Sequence, residues 1–294
     1  MCCFKDNNIN YFRSFNLLFF LIHVVLLITC FATYSSMNGT LPTYYMLYIS
    51  SYDSVEVKLL IIPVLLHTFA ILFHLVFMIK SNYIVDIMYS KNFTNPYHWV
   101  YQYIIDGLTI VAIMLIQGIQ FLETFYIVLV VYAAVIILCF YQDMYLHRNY
   151  IFEPTISPHV FAIMLYILLV IFIIFKSTKY TNTLQMVKIN IVTMITLLQS
   201  GLSVIILQKM HINYSRVEEI KNMSTQIRNE NDNNEKCEEI DMQIESNNEL
   251  LDMEVHELRR GINYELVYSI NNTLFSMIIT WVIINLTRSN KTLN

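Results

Sequence analysis

Between Trp99 and Gln142 the chain carries only two formally charged residues, Asp106 and Glu123. Roughly 20 apolar residues suffice for one helix to cross a hydrocarbon core about 30 Å thick, and this run is about twice that long. It therefore turns back on itself, and the place for the turn is Gly118–Thr124, where Glu123 interrupts it. The result is two spans, 99–121 and 124–142, joined by a very short connection. The rest of the composition agrees with a membrane chain: 56% of residues are hydrophobic and 14% are charged, too apolar for a soluble domain of this length. The net charge of -4 is weak and gives no ground for a nucleic-acid partner.

Further spans follow from the same criterion. The first covers 15–33 and contains Asn16 and His23; no small-x-small cleavage site follows it, so it reads as a retained span and not a signal peptide. The second, 59–79, contains Pro63, with His67 and His74 seven residues apart and hence on one face. A fifth covers 158–175, a sixth 185–208, and a seventh 263–287, which carries Tyr268, Asn271, Asn272 and Ser276 ahead of Trp281. The expectation is an all-α polytopic membrane protein, a seven-transmembrane-helix bundle with an N-terminal segment 1–14 and a tail 288–294. Its five cysteines lack paired or metal-ligand spacing, which excludes a disulfide framework. Cys2 and Cys3 precede the first span and are either free thiols or sites of palmitoylation on a cytosolic N-terminus.

The segment 210–262 has another character. It holds 13 of the 22 acidic residues, against six Lys or Arg, and is divided by the Asn-rich stretch 229–234. Ile240, Ile244, Leu251, Val255 and Leu258 recur at amphipathic-helix spacing. A solvated, partly disordered insert and a partner-binding helix both fit, the former better. Seven spans put the termini on opposite sides. Lys209, Arg216, Arg259 and Arg260, which flank this segment, favour a cytosolic N-terminus by the positive-inside rule.

Inside the third span, Trp99, Gln102 or Tyr103, Asp106 and Thr109 recur at helical spacing and form a polar stripe. A carboxylate is costly in lipid, so Asp106 faces protein or water, either as a functional acid or as a protonated one bonded to a neighbouring helix. His23 and His74 suit either a proton or ion path, since histidine titrates near neutral pH, or hydrogen bonds that hold helices together.

The order of these polar residues resembles the heliorhodopsin family, seven-helix retinal proteins with a cytosolic N-terminus. Phe15-Asn16 followed by His23 is similar to that family's Phe-Asn and inward histidine, and His74 falls where the family has another. Asn95-Pro96-Tyr97-His98-Trp99 resembles its Asn-Pro-x-Arg-Trp, with His98 at the arginine position. Glu265, Tyr268 and Trp281 have the spacing of its Glu-x-x-Tyr and of the Trp beyond its lysine. The resemblance covers nearly the whole chain except 210–262. It implies a rhodopsin-like bundle, an extracellular sheet in the first loop (34–57) and a homodimer.

Two departures decide what the resemblance implies about the cofactor. The family's retinal-bearing lysine corresponds to Ser276, with Asn272 as pocket lining, and its counterion glutamate corresponds to Tyr101. A hydroxyl forms no Schiff base, so retinal, the family cofactor, is not expected to be bound covalently. The two losses belong together, because a buried carboxylate without its cation is strongly destabilising. A zinc hydrolase of the ceramidase type would also use intramembrane His, Asp and Ser, but the seventh span has no histidine. The chain is therefore expected to be no enzyme and to hold no metal. The leading expectation is signalling or scaffolding through the cytosolic loops, with 210–262 as the contact for a protein partner. The alternatives are proton or ion conduction through His23, His74 and Asp106, and light sensing with non-covalent retinal.

Overall fold

The computed structural model describes residues 2–36, 44–49, 53–91, 95, 97–119, 121–148, 158–176 and 239–289. Helix α1 (Cys2–Ser36) opens the chain. Its first turns fall in the stretch 1–14 that the sequence reading sets apart as an N-terminal segment ahead of the first span. They are helical because Ile9, Phe12 and Phe15 recur on one face and are buried, with Phe12 edge-on to Phe15. Leu17, Leu18, Leu21, Val25, Ile28 and Phe31 of the same helix are exposed. An apolar stripe of that length facing outward suits lipid and not water.

After α1 come β1 (Tyr44–Tyr48) and β2 (Ser54–Lys58), an antiparallel hairpin in which Tyr44 pairs with Lys58 and Tyr48 with Ser54. The long first loop thus carries a two-stranded sheet. An isolated bridge from Tyr48 to Phe121 ties it to the turn after the third apolar helix.

Helix α2 (Ile61–Ile79) starts directly behind the hairpin. Pro63, expected well inside the span, falls in its first turn, where the missing N–H has no intrahelical partner to lose. A short helix not foreseen from the sequence, α3 (Ser81–Lys91), follows at once; Ile84, Val85 and Met88 share a face and are buried, in one apolar cluster with Phe12 and Phe15 of α1. Arg13 of α1 reaches it through Ser81, its Nη2 donating to the hydroxyl at 3.0 Å.

The long apolar run folds back as expected, but earlier. Helix α4 is His98–Ile116 and α5 is Leu122–Arg148. The stop is a Schellman motif: Gly118 has φ 76°, its N–H donates to the Leu115 carbonyl, and the Ile119 N–H donates to that of Met114. A left-handed residue is needed just past the helix end, and glycine takes that conformation without a Cβ penalty. The helix entry is also built locally, with Asn95 Oδ1 accepting from the Tyr97 N–H at 3.0 Å in an Asx turn.

Helix α6 (Pro158–Lys176) packs on α5, with Ala162, Tyr166, Leu169 and Ile173 inward. The expected sixth span, 185–208, and residues 210–238 of the acidic segment lie outside the described residues. From Glu239 onward that segment is helical and runs without a break into the last span, as α7 (Glu239–Ser289). The divide drawn at 262 between a solvated insert and a seventh span is therefore not a break in the backbone. With 51 residues, α7 is roughly 75 Å long, more than twice a hydrocarbon core. The apolar part is Ile262–Arg288, so the acidic turns extend beyond it.

Among the described residues five helices are long and apolar enough to cross a membrane: Asn7–Ser36, Ile61–Ile79, His98–Ile116, Leu122–Tyr141 and Ile262–Arg288. α6 adds a shorter apolar helix. The described residues are mostly helical, and the chain has the character of an integral membrane protein. α4 lies deepest, between α2, α5 and α7.

Candidate functional site

Three polar clusters occupy the interior, and α4 and α7 contribute to most of their contacts. At the end where α1 begins, His98 and Glu265 pair. His98 Nδ1 lies 3.1 Å from Glu265 Oε1 and 3.3 Å from Oε2, and both side chains are nearly buried. The carboxylate also accepts from the Asn95 N–H at 3.3 Å, and Tyr268 covers the imidazole with ring centroids 4.3 Å apart. Glu265 thus receives donors from both the helix entry and the histidine, which compensates the loss of water around a buried carboxyl. Trp99, next to His98, is buried edge-on against it.

The second cluster surrounds Asp106, which is 2% exposed. Tyr132 of α5 donates its hydroxyl to Asp106 Oδ2 at 2.9 Å, and Gln102, one turn earlier on α4, also hydrogen-bonds the carboxyl. The polar stripe read from the sequence on the third span is therefore a face turned into protein, toward α5. Thr109, the last member of that stripe, is buried and returns its hydroxyl to the Ile105 carbonyl.

Histidines make the third. His74 Nδ1 is 2.8 Å from Asn16 Oδ1, while Asn16 Nδ2 donates to the Phe12 carbonyl. Since Asn16 Oδ1 can only accept, His74 carries its proton on Nδ1 and leaves Nε2 to accept from the Tyr101 hydroxyl, 3.4 Å away. His23 stacks on His74, with ring centroids 5.6 Å apart and planes 18° from parallel. Its Nδ1 is 3.0 Å from Nδ1 of His67. His67 Nε2 lies 2.8 Å from Thr280 Oγ1, and Thr273 Oγ1 lies 3.4 Å from His23 Nε2. The rings form a line and do not converge on a point; among the described residues no group of three or more His, Cys, Asp or Glu side chains is arranged to hold a metal ion.

The residues singled out from the sequence are thus divided. His23 and His74 are in contact, and Tyr101 joins them through His74. Asn272 interacts with Tyr101, and Ser276, one turn further on α7, donates to the Asn272 carbonyl at 2.8 Å. Asp106 is bonded elsewhere, to Tyr132 and Gln102, and not to the histidines with which it was grouped. Trp281 is 68% exposed and faces outward. Sequence reading left His67, Thr273 and Thr280 out of the site. The signal for His67 was present, because its spacing from His74 puts both on one face. Nothing in the spacing of the threonines distinguished them from their neighbours.

Comparison of the sequence with protein-family models and with curated proteins finds no match.

Proposed function

We propose that this chain is a heliorhodopsin-like seven-helix membrane protein that lacks covalent retinal and acts in signalling or scaffolding through its cytosolic surface. The observation that carries the reading is the unbroken helix α7. Asn272, Thr273, Ser276 and Thr280 lie among the interior clusters, while the same helix begins in the acidic segment. A rotation or shift of its inner part is therefore transmitted to the acidic turns without an intervening hinge loop.

Parity supports seven crossings. α7 enters at the end where α1 begins, since Asn16 contacts His74, Tyr101 contacts His74, and His98 contacts Glu265. An even number of crossings must precede it. α1, α2, α4, α5 and α6 account for five, and the sixth span expected from the sequence, 185–208, lies outside the described residues. The resemblance gains support from two further features: the hairpin in the first loop, and the pairing of His98 with Glu265, which stand at the family's arginine and glutamate positions.

Among the described residues, the position of the family's lysine does not fit a covalently held retinal. Ser276 offers a hydroxyl already donated to a backbone carbonyl, and no lysine whose side chain is described is buried. No photochemical step follows from such a site. Purified protein expressed with all-trans retinal is expected to show no hydroxylamine-sensitive band to the red of free retinal; such a band would overturn this part of the reading. For the partner, crosslinking in membranes should capture a protein with the full chain and lose it when 214–260 is deleted. An identical set of crosslinked proteins from both would refute the role assigned to the acidic segment.

A further inference from the structure

Thr273, His23, His67 and Thr280 form a hydrogen-bonded chain that leaves α7, crosses α1 and α2, and returns to α7 two turns further on. Seven residues of helix correspond to roughly 10 Å along the membrane normal. All four side chains are buried, His23 and His67 with no measurable exposure. The chain has a property that follows from its donors and acceptors alone. Two neutral imidazoles that meet Nδ1 to Nδ1 need one proton between them, and each then presents the opposite state at Nε2.

Two arrangements satisfy every contact. In one, Thr273 donates to His23 Nε2, His23 Nδ1–H donates to His67, and His67 Nε2–H donates to Thr280. In the other every bond is reversed, from Thr280 through His67 and His23 to Thr273. Both are neutral and both use the same heavy-atom positions, so nothing in the geometry of the chain itself favours one direction.

We propose that this chain is a proton relay through the middle of the bundle, and that it gives the protein a proton conductance independent of light. A proton arriving at His23 Nε2 forms a new N–H bond there. The His23 Nδ1–H bond breaks as that proton bonds to His67 Nδ1, and the His67 Nε2 proton bonds to Thr280 Oγ1, which releases its own hydroxyl proton on the far side. One proton enters and one leaves, and the chain is left in its reversed arrangement. The reverse hop would only carry the proton back, so the cycle closes by another route: each ring swings out of the chain, gives its new proton to water and takes one from water on its other nitrogen, and the first arrangement re-forms. On the side of α1's first turns, His74, stacked on His23, and Tyr101, bonded to His74, continue the polar line toward His98 and Glu265. Asp106 is no part of this relay, because its donors come from Tyr132 and Gln102. The imidazoles carry no fixed charge and offer no oxygen cage, so the relay passes protons and not hydrated sodium or potassium.

A merely structural role would use the same contacts as glue between α1, α2 and α7, and the test must separate the two. The full chain in liposomes, driven by a potassium diffusion potential with an internal pH dye, is expected to take up protons faster than protein-free liposomes. His67→Asn keeps a polar side chain that can hold the helices but has no second nitrogen to pass a proton on, and should lower that uptake at least tenfold. No uptake above protein-free liposomes, or undiminished uptake in His67→Asn, overturns the proposal. Should the variant fail to fold, nitrogen-15 spectra of the histidines in the unaltered protein give an independent answer. Exchange between the two tautomers of His23 and His67 supports the relay; one fixed tautomer at each overturns it.

Discussion

Tyr132 gives Asp106 its one side-chain donor from a neighbouring helix among the described contacts, and so joins α5 to α4 through a carboxyl that is almost wholly buried. Removing that donor leaves a polar oxygen without its partner in a place where water does not replace it. Tyr132→Phe keeps the ring and its stacking on Tyr103, whose centroid is 6.0 Å away, and deletes only the hydroxyl. The expected cost is about 1–3 kcal/mol. Denaturant unfolding of the purified protein in detergent measures it; a change too small to detect would mean that Asp106 does not depend on this bond. Asp106 was legible as an interior residue because a charge in an apolar run has few places to go. Its partner was not, since Tyr132 is one of 21 tyrosines and nothing local marks it.

At the scale of elements, α7 departs most from the sequence expectation. The acidic half and the apolar half differ so strongly in composition that they read as two units, yet helix formation depends on backbone continuity and not on polarity. Gly261 stands at the junction, inside the helix. Spin labels at 245 and 285 should be separated by roughly 60 Å with a narrow distribution if the rod is continuous. Gly261→Pro removes one backbone hydrogen bond and clashes with the preceding turn, at a cost of about 3 kcal/mol. The distribution should broaden in that variant and the partner crosslinks weaken. A broad distribution in the unaltered protein would remove the basis for coupling through α7. α3 was missed for a related reason: Ile84, Val85 and Met88 make too short an amphipathic pattern to stand out beside the spans, and become meaningful where α1 supplies the apolar surface they pack on.

For the whole molecule, the contacts fix which ends of the helices lie together. The start of α1, the end of α2, α3, the start of α4 and the entry of α7 share one end, held by the Arg13–Ser81 and His98–Glu265 contacts. The hairpin is at the other, bridged to Phe121 in the α4–α5 turn. Single cysteines at two exposed positions, Asn82→Cys and Ser54→Cys, should therefore react with a membrane-impermeant reagent from opposite sides. Reaction of both from the same side would contradict a bundle that spans the bilayer. Two apolar clusters hold the two sides of this assembly. One is built on α1, α2, α3, the first turns of α4 and Ile262 and Tyr268 of α7, the other on the start of α2, on α4, α5 and α6, and on the last turns of α7.

Taken alone, the sequence determined that the chain is helical and belongs in a membrane, and roughly where five apolar helices lie. Transfer from water to lipid is a property of each run by itself, and so is the need of its backbone to bond internally. It also determined that His67 and His74 share a face, because helical periodicity is local. The tertiary structure decided which polar groups meet. A side chain's partner depends on the rotation and depth of one helix against another, which no single run encodes. That is why Asp106 went to Tyr132, why His23 found His67, and why Thr273 and Thr280 entered a chain to which nothing in their own sequence pointed.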